Sequence, residues 1–546
     1  MRDGVKISID IYTKNISERL PVILEITPYG KRTGLATNFH TEAGFWIKKG
    51  YVFVIADSRG TGNSDGEFDI LANEADDGYD IIEWITKQSW SNGKIGMRGY
   101  SYAGTNQWLI AAKNPPGLSC ITPSTSLGKP IEHFPYYGAF SLQGSLNWIS
   151  KRLKTKYQTK NWSSENPIEW LKIKPLKNLD ICLTGQVLPL YRKILQHPIL
   201  DSYWDKIVMK PINYSEINIP SLSFTGWYDF ALSGTIMRFK EAVKYTKRKN
   251  DHFILIGPYN HYHAPHGGYH AITGKPIKQI GEVFLNENSL LPALNITSEF
   301  FDWCLKDGIR PSWNQTKIYI TGSNEWDDRS FLISNDEKEK FLFLNKDGKL
   351  TTKEPNADID FLEYDPSRPV RSDLIPKLEY PVNLNLYLNK SDFLVYTSDK
   401  LKKPLTIFDE IKLDLIFSSN VKDTDFVVFL MDVHRDGKSV KLGSMESNQL
   451  RTRYRYGFER EVLLEENKIY NLTINMHQIA HTFLAGHKIR LAITNSFYPL
   501  VSPNQNTGNP IGDDVDLPLK SKNTIYYGNW LNGAISCIKF KSKDDF

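Results

Sequence analysis

The hexapeptide Gly99-Tyr100-Ser101-Tyr102-Ala103-Gly104 is the sharpest chemical signal in the chain. It follows an apolar run ending near Arg98 and opens a helix-compatible stretch at Tyr102. A serine on so tight a strand-to-helix turn is presented at the carboxyl edge of a parallel sheet. Small residues are needed at 99 and 103, because neighbouring backbone would collide with larger side chains at so sharp a turn. The common pattern is G-x-S-x-G, and Ala103 stands at its last position here. A serine hydroxyl is a weak nucleophile that needs a neutral imidazole to take its proton, with a carboxylate behind that imidazole. In such folds the chain order is serine, acid, histidine. Ser221-Leu222-Ser223-Phe224-Thr225-Gly226-Trp227-Tyr228-Asp229 puts Asp229 just beyond one strand, and Phe253 to His261 puts His261 in the loop after the next. Alone, Asp229 also reads as a helix N-cap and His261 as a solvated loop residue. In order at three strand ends, they read as nucleophile (Ser101), general base (His261) and orienting acid (Asp229), the apparatus of acyl transfer from an ester or amide. His263, His266 and His270 follow closely, but their spacing does not fit HExxH and no acidic residue is interleaved. No metal and no cofactor are therefore expected.

These residues need a frame. Pro21 to Ile26, Tyr51 to Ala56 and Lys94 to Arg98 are short apolar runs of the kind buried on both faces of a parallel sheet. A helical stretch from Asn73 to Lys87 lies between the last two, with Ile81, Ile82, Trp84 and Ile85 able to form one face. Such alternation predicts an α/β domain with helices on both sides of the sheet. From Thr125 to Ile217 the rhythm breaks: Trp148, Trp162 and Trp170 fall among Lys-rich, helix-compatible segments, which predicts a helical insertion. Strand, helix and strand resume over Ser221 to Phe224, Leu232 to Tyr245 and Phe253 to Ile256, and a helix near Pro292 to Leu305 closes the domain. After Asn314 the runs Ile411 to Phe417, Phe426 to Val433 and Ile489 to Asn495 are β-rich, and Asp436-Gly437 is a hairpin signal. The expected division is an α/β-hydrolase domain in two parts, 1–124 and 218–313, a helical cap at 125–217, and an all-β sandwich at 314–546, a jelly roll being the natural size match.

Length and composition agree. At 546 residues the chain needs two to four cores. A formal charge of +5 gives no electrostatic footprint for nucleic acid, and the basic run Lys244 to Lys249 reads as a solvated helix end. Cys120, Cys182, Cys304 and Cys537 are scattered without a CxxC pair, as in a cytosolic protein with reduced thiols. Met1-Arg2-Asp3-Gly4 leads straight into Val5, Ile7 and Ile9, with no signal-peptide pattern and no run of membrane-spanning length, so a cytoplasmic location without a membrane partner is expected.

Several motifs together resemble the cocaine esterase-like (CocE/NonD) family of serine hydrolases, relatives of X-Pro dipeptidyl peptidases and α-amino-acid ester hydrolases. They are Met1-Arg2-Asp3-Gly4, Pro28-Tyr29, Asp57-Ser58-Arg59-Gly60, the serine hexapeptide, Gly226-Trp227-Tyr228-Asp229 and Gly257-Pro258-Tyr259-Asn260-His261. Asp423-Thr424-Asp425-Phe426, Phe483-Leu484-Ala485-Gly486-His487 and Asn506-Thr507-Gly508 continue the match, which is weakest between about 150 and 215. The resemblance implies the same triad, and a motif read as G-x-S-Y-x-G, satisfied by Gly104. It implies an oxyanion hole of the Tyr29 hydroxyl and the Tyr102 backbone N–H, and an acyl pocket with cap aromatics, Trp148 and, on a looser alignment, Tyr136. Asp57 and Arg59 resemble a structural motif. The implied partners are small-molecule esters or amides or short peptides; a homo-oligomer stays open. The alternative activity is that of an X-Pro dipeptidyl peptidase, which must also hold a free α-amino group. The alternative from another class is a non-catalytic binding protein, since jelly rolls also occur as carbohydrate-binding modules.

Overall fold

The computed structural model describes all residues except 33–36, 135, 153–166, 272, 330–336, 376–380, 389–390, 445–447 and 545–546. Seven strands come first: β1 (Ile9–Tyr12), β2 (Leu20–Thr27), β3 (Val52–Asp57), β4 (Ser91–Tyr100), β5 (Leu118–Ser124), β6 (Ser221–Tyr228) and β7 (His252–Asn260). A two-residue hairpin, β8 (Gln279–Ile280) and β9 (Val283–Phe284), precedes β10 (Thr316–Ile320) and β11 (Glu325–Arg329). The main sheet runs β1-β3-β2-β4-β5-β6-β7-β10-β11, parallel throughout except for its two antiparallel edge strands. Successive side chains leave opposite faces of a strand. Val22 and Leu24 accordingly join a core with Ile81, Ile85 and Trp108, while Ile23 joins one with Trp46, Phe300 and Phe301 on the other side.

Helices α1 (Thr37–Lys48), α2 (Glu74–Thr86) and α3 (Tyr102–Ala111) cover this sheet, with Leu232–Tyr245 and Ala293–Leu305 later in the chain. On α2, Ile81, Ile82 and Ile85 are buried, but Trp84 is 42% exposed at the edge of the apolar stripe, contrary to the face expected for it. Among the described residues, β5 and β6 are joined by short helices only, of which the first α-helix is α4 (Asn147–Arg152). Their aromatic and aliphatic side chains form a core of their own with Tyr102 beneath and Tyr498 from the β domain alongside. Trp162 lies outside the described residues.

Strands between Lys338 and Ser542 hydrogen-bond into a twelve-stranded system around a large apolar core, with a smaller one formed by Val427, Phe429, Met431 and Ala492. The turn at Asp436-Gly437 makes the expected hairpin, pairing Asp425–Val433 with Ser439–Lys441. Two strands beyond residue 314, β10 and β11, extend the first sheet rather than this one, because β10 pairs in parallel with β7. The β domain braces the cap: the Phe140 N–H donates to Ser502 Oγ at 2.9 Å, and Gly138 lies against the ring of Tyr454. Buried pairs of Asp423 with Arg453 and Asp425 with Arg451, bridged by Asn504, hold that edge. No helix of the described residues is long and apolar enough to cross a membrane.

Candidate active site

Ser101 sits between β4 and α3 with φ 61° and ψ −123°, backbone angles that cost a non-glycine residue about 1–3 kcal/mol. The turn is held from both sides. The Ser101 N–H donates to Ser124 O at 3.1 Å and to Thr125 Oγ1 at 3.0 Å, and its carbonyl accepts from Gly104 and Thr105. A Cβ on Gly99 would meet Ala103 O at 2.7 Å, and one on Gly104 would meet Ser124 O at 2.3 Å. The glycines that matter are therefore 99 and 104, and Ala103 is accommodated because its own methyl faces Gly99.

Asp229 follows the end of β6 and is fully buried. Its Oδ1 lies 2.7 Å from His261 Nδ1 and accepts from the Ala231 N–H at 2.9 Å, while Oδ2 accepts from Thr225 Oγ1 at 2.7 Å. Asp229 is thus not the N-cap of the following helix, a position held by Ala231. Since the carboxylate can only accept, Nδ1 is the donor of this pair, and in the neutral ring Nε2 is then the acceptor. Phe230 stacks on the imidazole, ring centroids 3.9 Å apart and 25° from parallel.

Tyr29 lies in the loop after β2, and its hydroxyl donates to Ser101 Oγ at 3.3 Å. Asp57 explains how that loop is held: it accepts the Lys31 N–H at 2.6 Å and pairs with Lys31 Nζ at 3.0 Å. Arg59 is tied to Asp77 and Asp3, away from the serine. Tyr102, as the first residue of α3, has no intrahelical acceptor for its N–H. Its phenol is spent on Glu74, and its ring stacks on Trp148.

Ser101, His261, Tyr29 and Trp148 line one cavity of about 410 Å³. Leu127, Phe134 and Tyr262 add apolar wall, and Lys151 and Arg152 from the end of α4 add positive charge. The side chain of Tyr136 lies outside the described residues. Sequence reasoning missed Thr225, Phe230 and Arg152. The first two are adjacent to or four residues from Asp229, a signal visible only once Asp229 is trusted.

The other histidines behave differently. Burial pushes His263 down to about 4 and also lowers His266, which packs 3.9 Å from Glu42. Among the described residues they form no metal-sized group with His270. One such group lies in the β domain, Asp432 with His434 and His487, where both Asp432 oxygens already lie 2.9 Å from His487 Nδ1.

A parallel sheet with a serine on the β4–α3 turn, helices on both faces and a helical insertion over the strand ends defines an α/β-hydrolase. Residues 3–263 match the X-Pro dipeptidyl-peptidase (S15) family, and residues 314–529 match the X-Pro dipeptidyl-peptidase C-terminal non-catalytic domain. The chain is an enzyme that resembles the cocaine esterase-like (CocE/NonD) serine hydrolases, relatives of the X-Pro dipeptidyl peptidases. It is 27% identical to the cocaine esterase of Rhodococcus sp. (strain MB1 Bresler), over 97% of its own length and 95% of that protein's. Its fold matches that of an aminopeptidase from a marine sediment archaeon, Thaumarchaeota archaeon, with a TM-score of 0.86 at 22% identity, covering 100% of this chain and 95% of the other. It also matches an α-amino acid ester hydrolase, with a TM-score of 0.82 at 21% identity, covering 99% and 95%.

Proposed function

We propose that the enzyme cleaves an ester or amide through an acyl-enzyme on Ser101. His261 Nε2 takes the Ser101 proton as Oγ attacks the carbonyl carbon, and Asp229 stabilises the imidazolium that results. The Tyr29 hydroxyl and the Tyr102 N–H receive the negative oxygen of the tetrahedral intermediate. The intermediate collapses as His261 returns the proton to the leaving oxygen or nitrogen. Water, deprotonated by the same histidine, then attacks the acyl carbon and frees Ser101. The observation that carries this reading is a strained serine, a tyrosine hydroxyl 3.3 Å from it and a carboxylate-oriented imidazole opening on one cavity.

In this reading residues 1–124 and 218–313 carry the catalytic domain, 125–217 the cap that shapes the acyl pocket with Trp148, and 314–546 the bracing β domain. The substrates are small esters, amides or short peptides, met in the cytoplasm, with no nucleic acid or membrane partner. An X-Pro dipeptidyl peptidase is the second reading, favoured by the family match over residues 3–263.

A fluorophosphonate probe and a panel of p-nitrophenyl esters, acyl-amides and Xaa-Pro-p-nitroanilides test it. The wild-type chain labels and turns over at least one class, while Ser101→Ala does neither and melts at nearly the same temperature. Labelling or turnover that survives Ser101→Ala sinks the proposal.

A further inference from the structure

We infer that the acyl group this cavity takes carries a carboxylate, bound by Arg152 and Lys151; the inference rests on the hydrolase reading above. Arg152 ends α4 one turn after Trp148, so both reach the cavity from one helix. Its guanidinium lies over the Tyr29 ring, 4.8 Å from the centroid, and Nη1 donates to Pro28 O at 3.3 Å. Nε is buried without an acceptor, and Arg152 forms no ion pair among the described residues. Burial lowers its pKa from the usual arginine value, with no carboxylate to offset it. A guanidinium has five donors in a fixed fork that matches a carboxylate. Half-buried, with one long hydrogen bond and a ring contact but no anionic partner among the described residues, it is only partly compensated for lost water until an anion arrives.

Lys151, exposed at the cavity's margin, adds a second cation, and the described lining contains no Asp or Glu. The field therefore favours a negative group and opposes the free α-ammonium that an X-Pro peptidase must accept. The position of Arg152 assigns the acyl side. His261 must reach the leaving atom to protonate it, so the leaving group occupies the histidine side of Ser101. Arg152 stands instead against the Pro28–Tyr29 loop, so of the substrate's two portions it is the acyl portion that we assign to it.

The test compares p-nitrophenyl esters of matched length: the hemiglutarate, the neutral valerate and the cationic 5-aminopentanoate, each corrected for spontaneous hydrolysis. Charge-assisted hydrogen bonds of this kind give about tenfold or more in kcat/KM. We expect the hemiglutarate to lead the valerate by that factor, with the amine last. Arg152→Gln brings the hemiglutarate-to-valerate ratio close to one, mainly through KM. The ratio is the readout, because Arg152 also rests on Tyr29 and absolute rates will fall with it. Lys151→Gln, at an exposed position, lowers the ratio by a smaller factor and keeps the test open if Arg152→Gln does not fold. 4-Carboxyphenyl acetate and phenyl acetate, which move the charge to the leaving group, should differ little. A wild-type ratio of one or less, a ratio unmoved by either variant, or a preference confined to the carboxyphenyl pair overturns the inference while the serine hydrolase reading stands. Failure of every ester together with absent probe labelling overturns that reading itself.

Discussion

Asp229 and His261 stand 32 residues apart in the chain and 2.7 Å apart in the fold, Oδ1 against Nδ1. The carboxylate orients the ring and, in doing so, selects which nitrogen faces the cavity. Thr225 Oγ1 holds the other carboxylate oxygen at 2.7 Å, so the acid is itself held in place.

Asp229→Asn should lower kcat by about 10⁴, because an amide can present its NH₂ to Nδ1 and favour the wrong tautomer. Thr225→Val should be milder in activity but cost about 1–3 kcal/mol of stability, the penalty of a buried carboxylate oxygen left short of a donor. Steady-state kinetics and urea unfolding separate the two. If the asparagine enzyme turns over at the wild-type rate, Asp229 is not the orienting acid.

Tyr29→Phe removes a donor that matters most in the transition state. Loss of an oxyanion donor costs roughly 2.7–4 kcal/mol, about 10²–10³ in kcat, with KM little changed. The ring remains for Arg152 to rest on, so the melting temperature should hold. A near-native kcat would make Tyr29 a structural loop aromatic and leave the triad standing.

The hexapeptide makes a prediction about stability. Gly104→Ala places a methyl 2.3 Å from Ser124 O, across a turn hydrogen-bonded on both sides, and overpacking of this kind costs about 1–3 kcal/mol. Ala103→Gly, the change toward the commoner motif, should cost only about 0.5–1 kcal/mol, from helix entropy. Thermal unfolding of the two variants side by side decides it; the reverse ranking would mean the turn is not held as described.

On β4, the strand that leads to Ser101, Arg98 is shared by two buried carboxylates, Glu25 at 3.1 Å and Glu42. One guanidinium does not neutralise both, and burial raises Glu25 from 4.5 to about 8. Between those values the folded chain keeps a proton that the unfolded chain has released. Stability therefore falls as pH rises through the window, by at most about 1.4 kcal/mol per pH unit from this group. Glu25→Gln removes the titration, so its denaturation midpoint should drop less than the wild type's between pH 5 and pH 8. Parallel declines would assign the effect to another group.

The amino-acid sequence by itself determined whatever depends on neighbours in the chain. The apolar runs of β2, β3, β4, β6 and β7, the helix Leu232–Tyr245 and the need for a small residue at 99 were legible because strand burial, helical period and the clearance between Gly99 and Ala103 are local, whereas the demand for glycine at 104 comes from Ser124 O on β5. The order of Ser101, Asp229 and His261 was legible because a parallel sheet returns each strand end to the same edge. Only the tertiary structure decided what depends on packing between distant segments. Arg152 meets the Pro28–Tyr29 loop from 124 residues away, and no periodicity announces that contact. β10 and β11 joined the first sheet because β7 offered a free parallel edge, although their sequences read as the start of the β domain. Trp84 lost its place in the core because α2 turns its stripe toward Ile81, Ile82 and Ile85. Hydrophobic pattern specifies that a face is covered; which distant side chain covers it is settled by shape and volume when the layers close.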